Sequence, residues 1–241
     1  WWNRTLLMVA AKKGKLAFLS NLLKNGADIN AEDKDEKTVL MYAAEGGNKA
    51  VIDALLKNGA AADINAQDVH GYTALIYAAD AGSVEAVTAL LKNGAEANAQ
   101  DEDGWTVLMH GIDMGNLSVV TALLENGAEV NAKNEEGKTP LMIAAGKTST
   151  DIIAALLEKG ENVNDKDMFG NTALMMTAVG PEEDDMFAAE EDVEKLETLA
   201  AIDVLLKNGA IINAENNKGM SPLMLAAKKG NRRVVDVLLE N

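Results

Sequence analysis

One short segment returns along the chain at nearly fixed intervals, and that periodicity constrains the fold more than any other feature. It stands at Thr5-Leu6-Leu7-Met8, Thr38-Val39-Leu40-Met41, Thr73-Ala74-Leu75-Ile76 and Thr106-Val107-Leu108-Met109. It returns at Thr139-Pro140-Leu141-Met142, Thr172-Ala173-Leu174-Met175 and Ser221-Pro222-Leu223-Met224. The steps between the hydroxyl residues are 33, 35, 33, 33, 33 and 49. A glycine closes a Leu-Leu run in six copies, at Gly26, Gly59, Gly94, Gly127, Gly160 and Gly209.

Each copy reads as a turn, a helix, a turn and a second helix. The Thr or Ser can accept a hydrogen bond from the first free amides of a helix, and Pro140 and Pro222 follow where proline suits a helix start. Alanine pairs such as Ala43-Ala44 and Ala78-Ala79 keep that helix thin. Gly14, Gly47, Gly82, Gly115 and Gly230 end it, since a left-handed residue is least strained as glycine. The second helix carries apolar residues at helical spacing, as in Val119, Val120, Leu123 and Leu124. No single copy can bury its apolar face, so the copies must stack.

On these residues the chain resembles the ankyrin repeat family, whose unit is a 33-residue turn-helix-helix with a Thr-Pro-Leu-His signature. The resemblance spans essentially the whole chain. It implies an all-α fold with short hairpin-like turns, a solenoid forming a single elongated domain over 1–241. The copies fall at about 1–32, 33–67, 68–100, 101–133, 134–166, 167–215 and 216–241. The signature His is replaced by Met8, Met41, Met109, Met142, Met175 and Met224, and by Ile76 in one copy. This resembles bacterial members of the family. The expectation is that core packing by these side chains replaces the hydrogen bonding of the His.

The family resemblance implies a non-catalytic module or scaffold that binds a protein through the turn tips and the concave face. Carried over by position, the candidate surface is a strip of aromatic anchors with acidic rims. The tips before the signature Thr supply His70 and Tyr72, Glu102, Asp103 and Trp105, and Phe169. The position after the signature Met or Ile supplies Tyr42, Tyr77 and His110, and the helix ends supply Asp80, Asp113 and Met114. Tyr72 and Trp105 occupy the same place in adjacent copies and are expected side by side. Aromatics framed by charge suit an interface hot spot; the alternative is that they pack on neighbouring tips and between helices. Gly111 inside the fourth copy's first helix, which weakens a helix by on the order of 1 kcal/mol, favours the partner reading, as a site that gives up stability to accommodate something.

Charge narrows the partner. Between Asp68 and Ala132 ten acidic residues (Asp68, Asp80, Glu85, Glu96, Asp101, Glu102, Asp103, Asp113, Glu125, Glu129) face one base, Lys92. A basic protein or peptide would be drawn there with strong salt dependence; a solvated acidic face is the plain alternative. The formal net charge of -16 argues against nucleic acid and anionic membranes. Lys12, Lys13 and Lys15, and Lys228, Lys229, Arg232 and Arg233, read as polar caps on the end copies.

Chemistry is excluded on inventory. There is no cysteine, only two histidines, and no Gly-x-Ser-x-Gly, His-Glu-x-x-His or phosphate-cradling loop. No enzyme activity, cofactor or metal site is expected, and the alternating Asp spacing of a calcium loop is absent. No apolar run approaches the roughly 20 residues of a membrane span. A monomer is expected, in the cytoplasm or exported. A small ligand held at Tyr42, Tyr77 and His110, or a purely structural spacer, are the competing functions.

The sixth copy is 16 residues longer, within about Gly180 to Ala200. Gly180-Pro181 breaks the chain, the run 182–185 reads as an acidic loop, and Met186 and Phe187 as its anchors. A lengthened second helix follows, with Val193, Leu196 and Ala200 on one stripe. Trp1 and Trp2 fall in the first tip, either folded back or exposed as a contact.

Overall fold

A computed structural model describes residues 4–180 and 191–241, with the side chains of 61, 62 and 191–195 left aside. The expectations for Trp1, Trp2, the acidic run 182–185, Met186, Phe187 and the Val193 side chain therefore lie outside the described residues. The chain divides into two compact units, Trp1–Glu129 and Val130–Asn241, described in turn.

In the first unit, inner helices α1 (Leu6–Lys12), α3 (Val39–Glu45), α5 (Ala74–Asp80) and α7 (Val107–Asp113) alternate with outer helices α2 (Leu16–Lys24), α4 (Lys49–Lys57), α6 (Val84–Lys92) and α8 (Leu117–Glu125). The inner helices pack in sequence (α1 on α3, α3 on α5, α5 on α7), as do the outer ones, so the core lies between two layers. The two extra residues of the second copy form a 3-10 turn at Ala60–Asp63.

In the second unit, inner helices α9 (Pro140–Gly146), α11 (Ala173–Val179) and α13 (Pro222–Lys229) pair with outer helices α10 (Thr150–Glu158), α12 (Glu191–Lys207) and α14 (Arg232–Glu240). Among the described residues there is no strand, only isolated antiparallel bridges such as Glu32 with Thr38 and Gln100 with Thr106. The fold is all-α with hairpin-like turns.

The signature hydroxyls start the inner helices as expected. Thr5, Thr38, Thr73, Thr106, Thr139 and Ser221 each accept from the amide three residues on, at 3.2–3.3 Å. Thr172 makes no such bond, and its buried Oγ1 has no partner. The thioether does more than pack. In the first two copies Sδ of Met8 and Met41 accepts the Thr5 and Thr38 amide at 3.3 Å, closing a capping box. Ile76 cannot.

Five signature methionines are buried, from Met8 at 0% exposure to Met142 at 2%, but Met224 is half exposed. α9 packs on α11 and α11 on α13, while Met224 lies half open on α13, so its assignment to the core is corrected. The sixth copy's outer helix α12 is lengthened to 17 residues, against nine in the other outer helices. Its buried face is Thr198, Ala201, Ile202 and Leu205, while Leu196 and Ala200 are exposed. The expected stripe was out of phase: the register follows the Leu205-Leu206 run that ends every outer helix.

Tips are tied copy to copy by backbone. Val69 donates to Asp35 at 3.1 Å and Glu102 to His70 at 3.1 Å. Gly71 sits at φ +77, and a Cβ there would lie 2.8 Å from the Glu102 nitrogen, so only glycine lets the tips approach.

Candidate partner-binding site

The site lies in the first unit and is built on three tip aspartates, Asp33, Asp68 and Asp101. Oδ1 of each accepts two backbone amides: Asp35 and Lys37 at 2.9 and 3.0 Å, His70 and Tyr72 at 2.9 and 3.0 Å, Asp103 and Trp105 at 3.0 and 2.8 Å. The second oxygen meets the side chain nine positions on, across the inner helix start. Tyr42 donates to Asp33 at 2.6 Å and Tyr77 to Asp68 at 2.6 Å. His110 Nε2 lies 3.1 Å from Asp101 Oδ2.

These bonds have electrostatic consequences. Burial raises the Asp33 carboxyl, but the donors around it outweigh that and hold it below the usual range. Burial and Asp33 push the Tyr42 phenol up to about 12, and Tyr77 is raised further by burial and Asp68. His110 Nδ1 also meets Asp80 Oδ1, at 3.0 Å. Burial lowers the imidazole, yet the two carboxylates overcome it and raise its pKa. With a carboxylate at each nitrogen, the protonated imidazole of His110 donates on both sides, and this is the form the site favours.

Cations and rings alternate along this face. The Arg4 guanidinium lies 5.2 Å from the Tyr42 ring centre, and Lys37 Nζ lies 4.8 Å from Tyr42 and 3.6 Å from Tyr77. Lys37 is itself paired with Glu45 at 2.7 Å. Tyr77 meets Tyr72 with centroids 5.4 Å apart, Tyr72 meets His110 at 5.1 Å, and His110 meets Trp105 at 5.7 Å. Tyr72 and Trp105, expected side by side, each meet the His110 ring and line one cavity with it.

The candidate residues thus separate. Tyr42 is 1% exposed and His110 8%, their polar ends engaged inside, so neither offers a face to a partner. Tyr77 is half-buried and its hydroxyl is engaged by Asp68. Tyr72 and Trp105 are partly exposed, His70, Glu102 and Asp103 are exposed, and Met114 is 51% exposed. A cavity of about 460 Å³ is lined by Tyr72, Trp105, His110 and Met114 with Asp80, Asp101, Asp103 and Asp113. Beside it His70, Tyr72, Tyr77, Asp101, Glu102 and Asp103 line another, of about 290 Å³. Phe169, 52% exposed, belongs to the second unit and is not part of this cluster.

Two supports of the sequence reading change. Asp68 and Asp101 are consumed inside the tips rather than lying on a solvated face. Gly111 is explained by packing: a Cβ there would lie 3.0 Å from Val119 Cγ1, so glycine lets α8 close on α7. The residues missed were Asp33, Asp68, Asp101 and Lys37 as the frame of the strip. The signal was present as an aspartate nine positions before each of Tyr42, Tyr77 and His110. Among the described residues no group of His, Asp and Glu could hold a metal, and no helix is long and apolar enough to cross a membrane.

Comparison with known proteins agrees with this architecture. A family model described as ankyrin repeats (3 copies) matches residues 7–101 and 62–134, and one described as ankyrin repeats (many copies) matches 123–176 and 205–241. The chain belongs to the ankyrin repeat family. The interval between the last two matches contains the lengthening of the sixth copy. The chain is also similar to the solved human ASB11 ankyrin repeat domain, at 30% identity and a TM-score of 0.83, covering 98% of this chain and 97% of that one. No curated protein matches the sequence. Ankyrin repeat domains are general protein–protein interaction modules, typically without catalysis.

Proposed function

We propose that this ankyrin chain is a non-catalytic scaffold whose third and fourth copies bind a basic segment of a protein partner. The observation that carries the reading is the 460 Å³ cavity. Two partly exposed rings, Tyr72 and Trp105, form walls, and Asp80, Asp103 and Asp113 supply negative charge. The cavity's own imidazole, His110, is already held between two carboxylates. A Lys or Arg side chain entering there gains cation–π contact and carboxylate partners together. His70, Glu102 and Met114 extend the contact at the rim. The small-ligand alternative at Tyr42, Tyr77 and His110 is less well supported, because their polar ends are engaged by Asp33, Asp68 and Asp101.

The test is affinity capture with the intact chain beside the Tyr72→Ala/Trp105→Ala variant, eluted over a salt series. The reading expects a protein retained by the first, lost from the variant and released by salt. Equal recovery on both, or binding indifferent to salt, would sink it.

A further inference from the structure

The second unit carries a groove of different chemistry. The position that holds Tyr42, Tyr77 and His110 in copies two to four is Ile143, Met176 and Leu225 in copies five to seven. An open cavity of about 600 Å³ crosses these copies, from Gly146 through Phe169, Met176 and Val179 to Met220 and Leu225. Its asparagines are engaged: Asn171 Nδ2 donates to Asp167 at 3.0 Å, Asn216 Nδ2 to Asn171 at 2.8 Å, and Asn217 Nδ2 to the Met168 carbonyl at 3.1 Å. The charged groups that line it are Lys218 and Lys228, both exposed, and among the described residues neither has a carboxylate partner.

We infer that this groove docks an acidic, apolar peptide segment of a partner protein, its large apolar side chains seated against Phe169, Met176 and Leu225 and its carboxylates on Lys218 and Lys228. The apolar wall supplies burial. The two ammonium groups, with no opposing carboxylate among the described lining residues, select an anionic segment over a basic one. An open groove crossing three copies suits an extended peptide rather than an enclosed alkyl chain. The inference is independent of the reading of copies three and four.

The test uses the full chain and two fluorescein-labelled, amidated peptides, Glu-Glu-Leu-Phe-Asp-Asp and Lys-Lys-Leu-Phe-Lys-Lys, followed by anisotropy. The acidic peptide is expected to bind at least tenfold more tightly than the basic one. Lys218→Glu with Lys228→Glu, two exposed positions, should weaken it at least tenfold, as should Met176→Glu. Tyr72→Ala with Trp105→Ala should leave it unchanged. No binding of the acidic peptide, no preference between peptides, or no effect of the double lysine reversal would overturn the inference. So would binding of decanoate without the peptide, self-association that the lysine reversal abolishes, or peptide binding that appears only once Met186 and Phe187 are both changed to Ser. Each of these assigns the groove to another occupant.

Discussion

The His110 imidazole meets the Asp101 carboxylate at 3.1 Å, nine positions apart in sequence, and so occupies the place where the two preceding copies use a tyrosine. Unlike a phenol, an imidazole has an ordinary pKa close to neutrality, and here, against the lowering by burial, its carboxylate partners raise it. Asp80 on its other nitrogen makes the protonated form the one the fold prefers.

Stability should therefore depend on pH in a defined direction. The folded pKa is raised, so the contribution is complete below the ordinary value near 6.5 and is lost as pH rises through the folded value. Urea unfolding at pH 6 and at pH 9 should show the intact chain losing more stability on going up than His110→Gln does. At pH 6 His110→Ala should cost about 2 kcal/mol, because two carboxylates lose a charged donor.

Glu161 is expected to act in the opposite direction to a helpful carboxylate. It stands where five other copies have Ala27, Ala60, Ala95, Ala128 and Ala210. One oxygen accepts the Leu141 amide at 2.8 Å, but Oε2 is buried without a partner, and burial pushes the pKa up to about 7. The unfolded chain ionises near 4.5 while the folded one keeps its proton, so stability falls as pH rises between those values, by on the order of 3 kcal/mol. Glu161→Gln, which retains the acceptor, should unfold at higher urea than the parent at pH 8 and show little difference at pH 4.

Gly111→Ala should not give the usual helix gain. The new methyl meets buried Val119 at 3.0 Å, and overpacking of that kind costs roughly 1–3 kcal/mol against about 1 kcal/mol of improved helix propensity. A net loss of about 1 kcal/mol is expected. A double-mutant cycle with Val119→Ala should show favourable coupling of about 1 kcal/mol; additivity would refute the packing explanation.

Glu36 takes φ +61 at the tip position held by Gly71, Gly104, Gly137, Gly170 and Gly219 elsewhere. Its side chain is exposed, so Glu36→Gly removes strain without opening a cavity. It should raise the urea midpoint by the equivalent of about 1 kcal/mol.

Helix placement was legible because it depends on residues close in sequence. Thr106 and Met109 are three apart, and in five of the seven copies a glycine lies nine residues past the hydroxyl, at the end of the inner helix. The direction of the aromatic strip was not. Whether Tyr77 points to a partner or inward is decided by Asp68, which reaches it only after the tip has folded back. The same limit applied to Gly111, whose reason is Val119 on another helix. Leu196 misled for a different cause: within one helix, a plausible apolar stripe can be drawn in more than one phase.

The amide-to-carbonyl ties from Val69 to Asp35 and from Glu102 to His70 use no side chain. The loop backbone can therefore keep its register when the side chains at 70, 102 and 103 are exchanged for others that leave the N–H of residue 102 in place, provided Gly71 remains. A molecule built in this way can change the chemistry its tips present by single substitutions that leave these backbone ties in place. Recognition and foldability are assigned to different atoms of the same residues.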